Sequence, residues 1–93
     1  MNDAQAFNAE LDRSLEYEGK VDRDIYVRFI DAYHFDAATS VSWLRSKLQI
    51  LRQRLRRGEP IYLWDAATDI QIKYTKLQEL SDWVSAHFSS IQL

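Results

Sequence analysis

Ile61-Tyr62-Leu63-Trp64-Asp65-Ala66-Ala67-Thr68-Asp69-Ile70-Gln71-Ile72-Lys73-Tyr74 is the stretch on which the fold turns. Its first four residues are apolar types that favour strands. Asp65 to Asp69 has turn chemistry, because aspartate and threonine side chains hydrogen-bond to their own backbone. Ile70, Ile72 and Tyr74 then alternate with Gln71 and Lys73, the period of a half-buried strand. These residues predict a small β-hairpin at 61–74, followed by a helix at 75–90. A rival rhythm runs through the same residues. Leu63, Ala67, Ile70, Tyr74, Leu77, Ser81, Val84, Phe88 and Ile91 are spaced by threes and fours. On that reading 60–90 is one continuous helix, with Pro60 in its first position.

Upstream, Gly58-Glu59-Pro60 closes a helix predicted at 39–57. Val41, Leu44, Leu48, Leu51 and Leu55 form its seam, spaced three, four, three, four as in a coiled-coil heptad. Asp36, Thr39 and Ser40 are candidate N-caps. Further back, Ala4, Phe7, Leu11 and Leu15 mark a helix at 3–18, capped by Asp3 and stopped by Gly19. Val21, Ile25, Phe29, Ala32 and Tyr33 mark another at 22–34, capped by Asp22. Downstream, Thr75-Lys76-Leu77-Gln78 reads as a capping box, with Leu77, Leu80, Val84, Phe88 and Ile91 inward. The expected fold is mainly α: a compact bundle of about four helices (3–18, 22–34, 39–57, 75–90), with the hairpin at 61–74, in one domain over 1–93.

Composition agrees with regular elements around one core. The chain has 93 residues, of which 46% are hydrophobic, with only two glycines and one proline; loops need more of both. No run approaches the ~20 apolar residues of a membrane span. Met1-Asn2-Asp3-Ala4-Gln5 is neither basic nor apolar, so no secretory signal is read there. The absence of cysteine removes disulfides, thiol catalysis and Cys-ligated metals, and fits a cytoplasmic location.

Nothing in the sequence carries catalysis. His34 and His87 are the only histidines and lack the spacing of metal ligands. Asp65 and Asp69 suit a turn with Asx hydrogen bonds better than a calcium loop, which needs more ligands and a central glycine. Gly19 and Gly58 cannot make a phosphate loop, and no serine sits in a nucleophile elbow. The expectation is a protein that is not an enzyme and has no cofactor or metal.

Charge is the informative property. Residues 1–36 hold nine acidic and four basic residues, and 58–93 hold five and two. Between them lie six basic residues and no acidic one: Arg45, Lys47, Arg52, Arg54, Arg56 and Arg57. On the heptad, Arg45 and Arg52 occupy e positions and Lys47 and Arg54 occupy g positions, so both flanks of the seam are basic. Acidic residues of the first two helices, such as Glu10, Asp12 and Glu16, are placed to meet them. Trp43 and Ile50 form a second apolar stripe beside Lys47 and Arg54. The row Trp43, Lys47, Ile50, Arg54 and Arg57, with Trp83, is therefore the expected contact surface for a partner, because tryptophan and arginine are favoured at binding hot spots. The expected function is a small protein-interaction module (adaptor, regulator or inhibitor) docking on a larger protein with an acidic surface, or on itself. The alternative is a winged-helix-like nucleic-acid binder reading bases with Arg45, Gln49, Arg52, Gln53 and Arg56.

Overall fold

The computed structural model describes the backbone of residues 3–33 and 37–88 and the side chains of residues 5–30 and 42–88. In chain order the elements are α1 (Asp3–Tyr17), β1 (Lys20–Val21), α2 (Arg23–Tyr33), α3 (Ala37–Arg56), β2 (Ile61–Asp65), β3 (Ile70–Tyr74) and α4 (Leu77–His87). His34, the Asp36 cap and Ile91 lie outside the described residues. So do the side chains of Asp3, Ala4, Ala32, Tyr33, Thr39, Ser40 and Val41.

The hairpin forms, and the continuous helix from Pro60 does not. β2 and β3 pair antiparallel from Ile61↔Tyr74 to Asp65↔Ile70. The turn is held by Asp65, whose carboxylate accepts hydrogen bonds from the Ala67 amide (3.4 Å) and the Thr68 hydroxyl (2.7 Å). Asp69 adopts φ 56°, a left-handed conformation that ends any helix and that aspartate tolerates.

Four helices form as expected, but the β part is larger than the expected hairpin. The chain is a mostly helical globule with a three-stranded sheet, ordered β1-β2-β3. β1 runs parallel to β2, with Lys20↔Tyr62 and Val21↔Leu63 as partners. Two residues are too few for periodicity to announce a strand. β2 is the middle strand. Ile61 and Leu63 are wholly buried, and Tyr62 and Trp64 on the other side are half-buried. A run of four apolar residues is the pattern of a strand covered on both faces.

Around this sheet the helices bury the residues their spacing marks. Phe7, Leu11 and Leu15 of α1, Ile25 and Phe29 of α2, Leu44, Leu48, Leu51 and Leu55 of α3, and Leu80, Trp83 and Val84 of α4 join Ile61 and Leu63 in one core. The Asp22 carboxylate caps α2 by accepting the Ile25 N–H (3.0 Å). α3 ends in a Schellman closure. Gly58 at φ 80° donates to Leu55 O (3.0 Å), and Glu59 donates to Arg54 O (3.1 Å). The cap of α4 lies one residue later than Thr75-x-x-Gln78 implies. Glu79 accepts the amides of both Thr75 and Lys76 (3.0 Å each), while Gln78 donates to Asp82.

Gly19 ties the two halves of the chain together. Its φ of 59° stops α1, and its carbonyl accepts the Tyr62 N–H (2.6 Å). The Arg54 guanidinium crosses the same point, donating to Pro60 O (2.9 Å) and Glu16 O (3.2 Å). A Cβ on Gly19 would overlap the Arg54 side chain and lie 3.0 Å from Pro60 O. Gly19→Ala should therefore cost more than the ~1–2 kcal/mol of left-handed backbone strain, because the Arg54 hydrogen bonds are displaced as well. Gly58→Ala meets no atom within 4 Å and should cost only that strain. Urea unfolding of the two variants checks this; equal midpoints would show that the Gly19 junction is not tight.

Candidate functional site

The basic residues of α3 divide into two sets, and the division follows from what packs on each side. The seam faces the core. On its g flank lies α1. Lys47 makes a salt bridge to Asp12, with its own side chain only 14% exposed. Arg54 (15% exposed) donates to two backbone carbonyls and pairs with Glu59 at 3.5 Å. On the e flank lies α4, and it offers no carboxylate. Glu79 is held by its own helix cap and Asp82 by Gln78. Arg52 lines a shallow groove with Leu77, Gln78, Leu80 and Ser81 of α4, all neutral. The expectation that acidic helices meet both flanks is thus met on one flank only.

Arg45, Gln49, Arg52 and Arg56 are spaced four, three, four on a single stripe of α3, with Gln53 beside them. Arg52 is half-buried and the others are exposed. Among the described residues none of these five side chains has a hydrogen bond or ion pair. Leu77, expected inward, is 43% exposed at the first position of α4. It shares the groove with Arg52.

The expected contact row is differently placed. The Trp43 ring stacks on Phe29 (4.9 Å between centroids, 15° between planes), and its Nε1–H donates to Asn8 Oδ1 (3.0 Å). Ile50 is half-buried against the core. Trp83 is buried, and its Nε1–H donates to the Trp64 carbonyl (2.8 Å). Arg57 is exposed but pairs with Glu59 (3.3 Å). The row is therefore not surplus to packing, as its spacing suggested. Trp43 joins α3 to α1 and α2, Trp83 joins α4 to β2, and Lys47 and Arg54 join α3 to α1 and the β2 entry.

His87 is a satisfied structural histidine. Its Nε2 accepts the Ala66 N–H (3.0 Å), which leaves Nδ1–H to donate to Trp83 O (2.9 Å). It fastens α4 to the hairpin turn. No group of three His, Cys, Asp or Glu among the described residues is placed to hold a metal ion. No described helix is long and apolar enough to cross a membrane. Between α1 and α2, Arg28 grips Glu10 through two hydrogen bonds (2.6 and 2.7 Å). That fork holds the Glu10 carboxyl below the usual glutamate range, and the Thr68 hydroxyl does the same for Asp65.

Compared with known proteins, the chain matches no protein-family model, no curated protein and no solved structure.

Two outcomes follow for stability. Lys47→Met and Arg54→Met should each lose about 1–3 kcal/mol, since each strands a hydrogen-bonded partner, while Arg45→Glu should stay within about 0.5 kcal/mol. Thermal or chemical unfolding of the three variants separates the sets; a loss at Arg45 as large as at Arg54 would contradict the division. The lowered carboxylates favour the folded state above the ordinary carboxylate range, and that share is lost as pH falls from there through their lowered folded-state values. Glu10→Gln should accordingly show a shallower decline of stability on acidification than the parent, and parallel declines would show that the Arg28 fork contributes nothing.

Proposed function

We propose that this chain is a small non-enzymatic interaction module, an adaptor, regulator or inhibitor, that docks on the acidic surface of a larger protein. Arg45, Arg52 and Arg56 supply the charge, Gln49 and Gln53 supply hydrogen bonds, and Leu77 is the apolar neighbour. One observation carries the reading. Of the six cations in the basic block, Lys47, Arg54 and Arg57 have acidic partners within the chain, whereas these three share an outward stripe with none among the described residues. Arg56 suits the negative end of α3, but Arg45 and Arg52 have no such role in the helix. Arg52 and Arg56 are four apart, where like charges are mildly destabilising. A carboxylate-bearing partner would relieve that repulsion. Arginine, with its planar fork of donors, suits carboxylates better than lysine does. An apolar side chain beside them adds area at the centre of a charged rim.

The same stripe supports a second reading, as a nucleic-acid binder. Gln49 and Gln53 stand exposed between the arginines, and glutamine and arginine are the usual readers of base edges. Against it, the turn that would serve as a wing carries Asp65 and Asp69, and aspartates repel phosphate.

Reversing Arg45, Arg52 and Arg56 together to glutamate should keep the fold, at a modest cost of about 1 kcal/mol or somewhat more from the reversed charge in the last turn of α3 and the half-buried Arg52 position. Capture of native partners by the immobilised chain should fall at least tenfold, by the loss of about 1.4 kcal/mol or more. Partner capture indifferent to the reversal would defeat the reading. A gel shift with mixed duplexes at low salt forms the second arm. Retardation by the parent chain, steeply weakened by salt and lost on reversal, would assign the stripe to nucleic acid instead.

A further inference from the structure

Among the described residues nothing pairs with the outer edge of β3. Which backbone groups the sheet leaves there follows from one hydrogen bond. The Tyr62 N–H points to Gly19 O, on the β1 side of β2. In a strand, successive residues direct their N–H and C=O to opposite sides. Ile61, Leu63 and Asp65 therefore face β3, and their partners Tyr74, Ile72 and Ile70 face back. The two residues between, Gln71 and Lys73, point their N–H and C=O away from the sheet. No described residue accepts from or donates to them. Their side chains are exposed, and Ile70 beside them is 57% exposed.

We propose that two copies of this chain pair through their β3 edges, antiparallel, about a two-fold axis at Ile72. The sheets of both copies then join as one, with β3 against β3 at the centre. The edge is complementary to itself in this register. Gln71 of each copy faces Lys73 of the other, so all four outward N–H and C=O pairs are matched by four hydrogen bonds. Ile72 meets Ile72, and Ile70 meets Tyr74 twice, continuing one apolar row across the junction. Charge selects the same register. A lysine on an edge strand discourages indiscriminate pairing. Parallel pairing would set each outward residue opposite one that faces away, an offset of one residue that no two-fold axis can produce. An antiparallel shift by two residues either sets Lys73 beside Lys73 or leaves Ile70–Ile72 as the whole overlap; both shifts shorten the pairing to three residues. Only the two-fold about Ile72 keeps the lysines apart with all five residues paired.

The contact is a strand pairing, smaller than the ~800 Å² per partner of a standard interface, so the dimer is weak. It uses none of the α3 stripe and stands or falls independently of the docking face. Sedimentation velocity of the whole chain, up to about 1 mM, should show a shift from the 11.0 kDa monomer towards twice that mass. In parallel, amide exchange at Gln71 and Lys73 should slow in step with the dimer fraction. Lys73→Pro removes an outward N–H and leaves the β2 ladder whole, a place where sheets tolerate proline. It takes away two of the four hydrogen bonds and should raise the dissociation constant about tenfold or more. A chain that stays monomeric throughout, or a dimer in which the Gln71 and Lys73 amides still exchange freely, overturns the proposal. Should Lys73→Pro fail to fold, amide exchange in the unaltered chain decides the matter alone.

Discussion

The register of β2 is the constraint on which the rest of the molecule depends. A strand repeats every two residues, so fixing one residue fixes all. With the Tyr62 amide committed to Gly19, Ile61 and Leu63 enter the core and are wholly buried. A slip of one residue would send both to the opposite side and bring Tyr62 and Trp64 inward in their place. The bond also joins the two halves of the chain, since Gly19 follows α1 and Tyr62 follows α3. Arg54 locks that junction from above through Pro60 and Glu16. The junction asks for a glycine twice over, once for its backbone angle and once for the space that Arg54 fills.

The surface charge follows from the same packing. α3 presents basic residues on both flanks of its seam, and its two neighbours answer them differently. α1 brings Asp12 and a free carbonyl at the end of its last turn. α4 has two carboxylates, but a helix start must satisfy its first amides, and Glu79 does so. Asp82 is held by Gln78 one turn back. A local need, the capping of α4, thus leaves the outward stripe of α3 positively charged in a chain whose net charge is −2.

Much of the fold was legible. The caps and stops rest on local chemistry that a sequence displays: Asp22 before α2, Gly19 after α1, and Gly58 after α3. The seam of α3 and the buried stripes of α1 and α2 rest on a helical period that survives in the structure. The hairpin competed with a helical rhythm through the same residues, and alternation at Ile70, Ile72 and Tyr74 was the truer signal. β1 escaped notice because two residues have no period. The site was less legible than the fold. Trp43, Lys47, Ile50 and Arg54 looked superfluous because the seam already accounted for one face of α3. That helix is gripped on more than one face, and Phe7, Phe29, Asn8 and Asp12 occupy the second.

By itself the sequence determined where the chain turns, which residues are apolar together, and that its positive charge is gathered on one helix. These depend on neighbours within a few positions, and spacing records them. Tertiary structure alone decided which of those charges are answered. Lys47 and Asp12 stand 35 positions apart, as do Trp43 and Asn8, and no local pattern encodes such a meeting. It also decided that the hairpin becomes a three-stranded sheet, with β1 along one side of β2 and the outer side of β3 unpaired among the described residues. Whether a basic residue is a bond within the molecule or an offer to another depends on what packs beside it, and packing is fixed only when the distant elements come together.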